Sequence, residues 1–108
     1  MTDKFETRLA DFVAAVDAYI AEHYRKNLTN LFDKGLFPKI ELERGVKYIR
    51  VVEAEQSGRR VYCFLDLQGN IYKAESWKKP AKHVRGSIFD ENFSLGKGLT
   101  VYGGAYLR

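Results

Sequence analysis

Apolar side chains recur three and four positions apart, from Phe5 through Leu9, Phe12, Val13, Val16 and Ile20 to Tyr24. That spacing lines one face of an α-helix. Asp3 followed by Glu6 matches the capping-box pattern of a helix start, while Lys4, Arg8, Asp11, Asp17 and Glu22 take the other faces. The pattern predicts an amphipathic helix over residues 3–26. Its polar side mixes both signs of charge. That suits a helix packed on its own sheet better than one lying in a membrane interface, where the polar side is rich in Lys and Arg.

Beyond a loop holding Gly35 and Pro38, the period shortens to two. Ile40 and Leu42 alternate with charged residues, Gly45 interrupts, and residues 46–55 and 60–67 are rich in β-branched and aromatic side chains. Gln56-Ser57-Gly58 and Gln68-Gly69-Asn70 read as turns, and a short strand follows over residues 71–74. The expectation is an antiparallel meander over residues 39–74 with the N-terminal helix covering its apolar face, an α+β fold in a single domain. Residues 75–98 are expected to form a structured loop region, with at most a short strand over residues 87–89. Residues 99–107 are expected to form a terminal strand, bulged at Gly103-Gly104.

Charge adds what periodicity cannot. Five basic side chains (Lys73, Lys78, Lys79, Lys82 and Arg85) face only Glu75 within residues 73–85, so this stretch holds the whole net charge of +4 and the rest of the chain balances. The same stretch carries the only tryptophan, Trp77, and one of the two histidines, His83. Clustered cations with an aromatic among them offer phosphates a place to land and bases a surface to stack on. Tyr62, Phe64 and Tyr72 would extend that surface if they lie on an exposed sheet face. The competing reading makes Trp77 a buried anchor of the loop and the lysines its solvated rim, and burial is the usual fate of tryptophan. Pro80 stiffens the loop in both readings, fixing one backbone angle and holding Lys79 extended.

The catalytic inventory is short. His23 falls near the helix end, and Cys63, between Tyr62 and Phe64, reads as a small buried side chain. A Cys63–His83 nucleophile pair lacks any surrounding acyl-transfer signature. Asp66, Asp90 and Glu91 could gather around a magnesium ion, but acids beside turns are ordinarily just solvated. No pair of Cys or His has zinc-ligand spacing. Gly96-Lys97-Gly98 with Thr100 lacks the first glycine and the spacing of a phosphate loop. No catalytic residue, metal or cofactor is expected. No apolar run approaches the roughly 20 residues of a membrane span, the first residues lack the apolar core of a signal peptide, and a single cysteine points to a reducing cytoplasm.

Trp77-Lys78, Pro80-Ala81-Lys82, Arg85-Gly86 and Ile88, with the ending Tyr102-Gly103 and Tyr106-Leu107-Arg108, form a recognisable block. It resembles a pattern in short uncharacterised proteins of tailed bacteriophages, especially marine ones, over roughly residues 46–108. Ser87 stands where that pattern leads one to expect asparagine. The resemblance implies a viral protein working in the host bacterial cytoplasm and carries no activity with it. The aromatic terminal segment has two readings: Tyr102 and Tyr106 dock in the sheet, or they anchor a homodimer through strand pairing.

These readings converge on a non-enzymatic phage accessory protein that binds nucleic acid through Lys73, Trp77, Lys78, Lys79, Lys82, His83 and Arg85. The alternative is a protein-interaction module that binds and modulates a host protein or a phage assembly component. The two differ in where exposed aromatics should lie: beside the lysines for nucleic acid, on a separate patch for a protein partner.

Overall fold

The computed structural model describes residues 3–90 and Phe93. The long helix α1 (Asp3–Asn27) buries Phe5, Leu9, Phe12, Val16 and Ile20, the stripe that the periodicity predicts. Glu6 does not stay local to the helix start. Its carboxylate takes paired hydrogen bonds from Arg44 at 2.8 and 2.9 Å. A short helix α2 (Thr29–Asp33) follows in the segment expected to be loop.

Five strands then run in sequence: β1 (Lys39–Arg44), β2 (Tyr48–Glu55), β3 (Gly58–Asp66), β4 (Asn70–Ala74) and β5 (Pro80–Ser87). They form one antiparallel sheet in the order β1-β2-β3-β4-β5, so the fold is α+β with α1 packed on a meander. Residues 46 and 47, expected to open β2, lie in the β1–β2 turn instead, and Val46 is 91% exposed. Gly45 N–H donates to the Tyr48 carbonyl at 2.9 Å and closes that turn.

The core lies between α1 and one face of the sheet. Ile49 and Val51 of β2, Cys63 and Leu65 of β3, Ile71 of β4 and Ile88 meet the α1 stripe there, and Phe93 packs edge-on against Phe12 at 5.0 Å. Each fully buried side chain of this kind contributes about 1.5–3 kcal/mol. Three polar ties fix the helix on the sheet. Arg8 Nε donates to the Ile88 carbonyl at 2.6 Å, Ile40 N–H donates to Asp17 Oδ1 at 2.9 Å, and Arg44 grips Glu6.

Pairing between β2 and β3 shifts after Val51, which faces Cys63 while Val52 faces Val61. Tyr62 is the extra residue of this bulge. A bulge breaks the alternation of faces, so Tyr62 joins Cys63 in the core. The expectation that Tyr62 extends the stacking surface is thereby corrected.

The expected basic loop over residues 75–98 is also corrected, because residues 80–87 of it form β5, the last strand among the described residues. Two pairing irregularities, after Ile71 and after Tyr72, put unequal numbers of residues on β4 and β5. They leave Lys82, His83 and Val84 exposed in succession, so no period of two is visible there. Pro80 opens the strand opposite Ala74, where the missing N–H of proline is tolerated. Of the short strand placed at residues 87–89, only Ser87 is strand, as the last residue of β5, while Ile88 and Phe89 lie in the turn that follows. The terminal strand at residues 99–107, with Tyr102 and Tyr106, lies outside the described residues. Among those described, no helix is long and apolar enough to cross a membrane.

Candidate nucleic-acid interface on the open sheet face

Alternation along β2 sends Ile49 and Val51 to the helix and Tyr48, Arg50 and Val52 to the opposite face. Phe64 of β3, Tyr72 of β4, and Glu41 and Glu43 of β1 share that face. Tyr48 meets Phe64 and Tyr72 edge-on, with ring centroids 6.3 and 5.9 Å apart. Phe64 is buried even though no described helix covers this face, and Tyr48 and the Arg50 guanidinium, 5.8 Å from its ring, close over it. The face has an aromatic floor of its own.

Trp77 enters from the turn between β4 and β5. Glu75 and Ser76 N–H both donate to the Lys79 carbonyl, at 2.9 and 3.1 Å, and Lys79 N–H returns to the Ser76 carbonyl at 3.4 Å. Trp77 and Lys78 therefore occupy the two central positions of a closed turn, where side chains project away from the chain reversal. Arg50 Nε donates to the Trp77 carbonyl at 2.8 Å and pulls the turn back over the sheet. The indole then lies on two cations, with Arg50 at 4.7 Å and Arg59 at 5.8 Å from its ring. Trp77 remains 39% exposed. Its expected role as a core anchor is corrected: the helix-side core is already closed by Ile71 and Ile88, and Trp77 belongs to the other face.

The two arginines are neutralised where they stand. Glu43 accepts from Arg50 at 2.6 Å and from Arg59 at 2.7 Å, and Glu41 accepts from Arg59 at 2.9 Å. Hydrogen bonds from Arg50 and then Arg59 hold the Glu43 carboxyl below the usual carboxylate range. The guanidinium groups thus serve as a rigid bed for Trp77, with their charge already met by carboxylates. The lysines differ. Lys78 and Lys82 are exposed and form no ion pair with any described residue, whereas Lys79 reaches Glu75 at 3.5 Å. His83 is exposed and Lys73 half-buried. Arg85 is half-buried too, and its Nε is shielded without a hydrogen-bond partner among the described residues.

The structure therefore brings Trp77, Lys78 and Lys79 together at one turn, puts Lys82 and His83 on the exposed part of β5, and withdraws much of Arg85. Sequence reasoning missed Tyr48, Arg50, Arg59 and Glu43. Charge counting could not find them, because Glu41 and Glu43 offset Arg50 and Arg59. The signal was Arg50 itself, the one cation of β2, set between Ile49 and Val51.

Two other candidate chemistries resolve into structural roles. Cys63 is fully buried and burial pushes its thiol pKa up, while His83 is exposed on β5. Asp66 is a turn residue: its carboxylate accepts from Gln68 N–H, from the Asn70 backbone and side chain, and from the Tyr72 hydroxyl.

Residues 2–102 match a family described as one of unknown function, DUF7717. The chain belongs to that family. No curated protein and no solved structure matches it. Membership brings no chemistry with it, so function must be argued from the face just described.

Proposed function

We propose that this protein is a non-enzymatic nucleic-acid-binding accessory protein. The carrying observation is that Trp77 stands exposed beside Lys78 and Lys79 instead of in the core. The lysines neutralise phosphates and Trp77 stacks on a base. Lys82 and His83 extend the cationic surface along β5, and Lys73 and Arg85 support it from half-buried positions. Because the contacts are to phosphates and to base faces, little sequence preference is expected. The resemblance of the Trp77-to-Ile88 block to short proteins of tailed bacteriophages supports a viral setting, in the cytoplasm of the bacterial host.

The second reading, a module that binds a host protein or a phage assembly component, draws on a separate patch. Leu28 and Leu31, where α1 meets α2, are both exposed. Homodimerisation through Tyr102 and Tyr106 belongs with this reading.

The test is a salt titration of binding to a labelled oligonucleotide, read by fluorescence anisotropy. Three lysines on phosphates give a log–log slope of roughly −2 or steeper on a single strand. Changing Lys78, Lys79 and Lys82 together to Gln should flatten the slope by about two units while leaving the melting curve in place. Salt-insensitive binding, or a slope unchanged in the triple variant, contradicts the reading. Co-purification with a protein that survives nuclease treatment favours the second one.

A further inference from the structure

A groove of about 260 Å³ opens on the same face, between the β1–β2 turn and the Trp77 turn. Tyr48 and Phe64 line it with aromatic surface, Arg50 stands within it, and Lys47 and Lys78 reach it from two different turns. Its charges do not cancel. Arg50 is met by Glu43, Arg59 by Glu41 and Glu43, and Arg44 by Glu6. Lys47 and Lys78 form no ion pair with any described residue, so the groove is left with two uncompensated ammonium groups over an aromatic floor. Lys47 lies outside the basic stretch and would not be found by counting charge along the chain.

We propose that this groove seats the phosphate of one nucleotide unit of a single strand, held by Lys47 and Lys78, with its base laid on the exposed surface of the neighbouring Trp77. The assignment rests on the nucleic-acid reading above and deepens it by naming the subsite and the ligand class. Charge complementarity selects the phosphate, since an ammonium offers three rotatable donors to an oxyanion. Trp77 selects the single strand, because base faces are available for stacking only where bases are splayed out of a duplex. Rigidity comes from beneath: Arg50 is tied both to Glu43 and to the Trp77 carbonyl, so the cation that orients the indole also fixes the turn bearing Lys78.

The experiment compares a fluorescein-labelled twelve-residue thymidine oligonucleotide with a duplex of equal length, at fixed low salt. The proteins are the wild type, the double variant Lys47→Gln/Lys78→Gln, and a charge-matched control, Lys26→Gln/Lys34→Gln, changed at exposed lysines outside the groove. All are first matched by thermal melting, which exposed lysine-to-glutamine changes should leave in place. The proposal expects the groove variant to bind the single strand roughly ten-fold or more weakly, the control to stay within about two-fold, and the wild type to prefer the strand over the duplex. A groove variant that binds like the control overturns the subsite and leaves the broader reading standing. A wild type that binds duplex as tightly as single strand overturns the ligand class. A wild type that binds neither oligonucleotide overturns both readings together.

Discussion

At the scale of single residues, Trp77 is defined by what lies under it. The indole rests on Arg50 and Arg59, and Glu43 holds both guanidinium groups. Because the ring is outside the helix-side core, Trp77→Ala should leave a denaturant melt nearly unchanged. The same change should weaken oligonucleotide binding by about 1–3 kcal/mol per stacked base. Acid should release the ring. Glu43 has its carboxyl below the ordinary value of 4.5 because the arginines favour its charged form. Its contribution is therefore complete above that value and is lost as pH falls through the lowered one. The emission of Trp77 should hold steady at neutral pH and shift below about pH 4.5, and Glu43→Gln should abolish the shift. Emission that moves identically in the variant would detach Trp77 from Glu43. Trp77 and its lysines were legible in the chain because their charge is unbalanced over a short segment. Arg50, Arg59 and Glu43 were not, because they come from three strands and together with Glu41 sum to zero charge.

At the scale of elements, α1 and the meander were legible because each keeps its period. The α1 stripe recurs at three and four, and Ile40, Leu42, Ile49 and Val51 keep the period of two. Removing a member of that stripe tests the packing directly: Phe12→Ala should cost about 3–5 kcal/mol in a denaturant melt. The β3–β4 turn is a stricter case. Gly69 has φ +90°, and a Cβ there would meet the Phe89 ring at 2.7 Å and the Ile88 side chain at 2.9 Å. Gly69→Ala should therefore destabilise by at least the 1–3 kcal/mol typical of a strained backbone residue, measured by the same melt, and a neutral result would mean that the turn repacks freely. The bulge at Tyr62 and the strand β5 were illegible for one shared reason. Both break alternation through pairing irregularities, and pairing is set by the neighbouring strand, which local sequence does not report. Val46 misled in another way: a β-branched residue with strand propensity sits in a turn because Gly45 closes onto Tyr48.

At the scale of the whole molecule, the two faces of the sheet have separate duties. One is covered by α1 and supplies the core. The other carries an aromatic floor, a neutral network of arginines and glutamates, and uncompensated lysines around Trp77. The net charge of +4 lies within residues 73–85, and its exposed members at the Trp77 turn and on β5 give that side of the molecule a positive field. The chain holds a single tryptophan, and it stands in that surface, so its fluorescence reports on whatever reaches it there. The decisive measurement is a titration of intrinsic fluorescence with an unlabelled single-stranded oligonucleotide, repeated at rising salt. The account predicts saturable quenching of Trp77, with an apparent affinity falling by a log–log slope of about −2 or steeper and regained on dilution of the salt. Tight binding detected by an independent method with no change in Trp77 emission would contradict it, as would quenching that ignores salt.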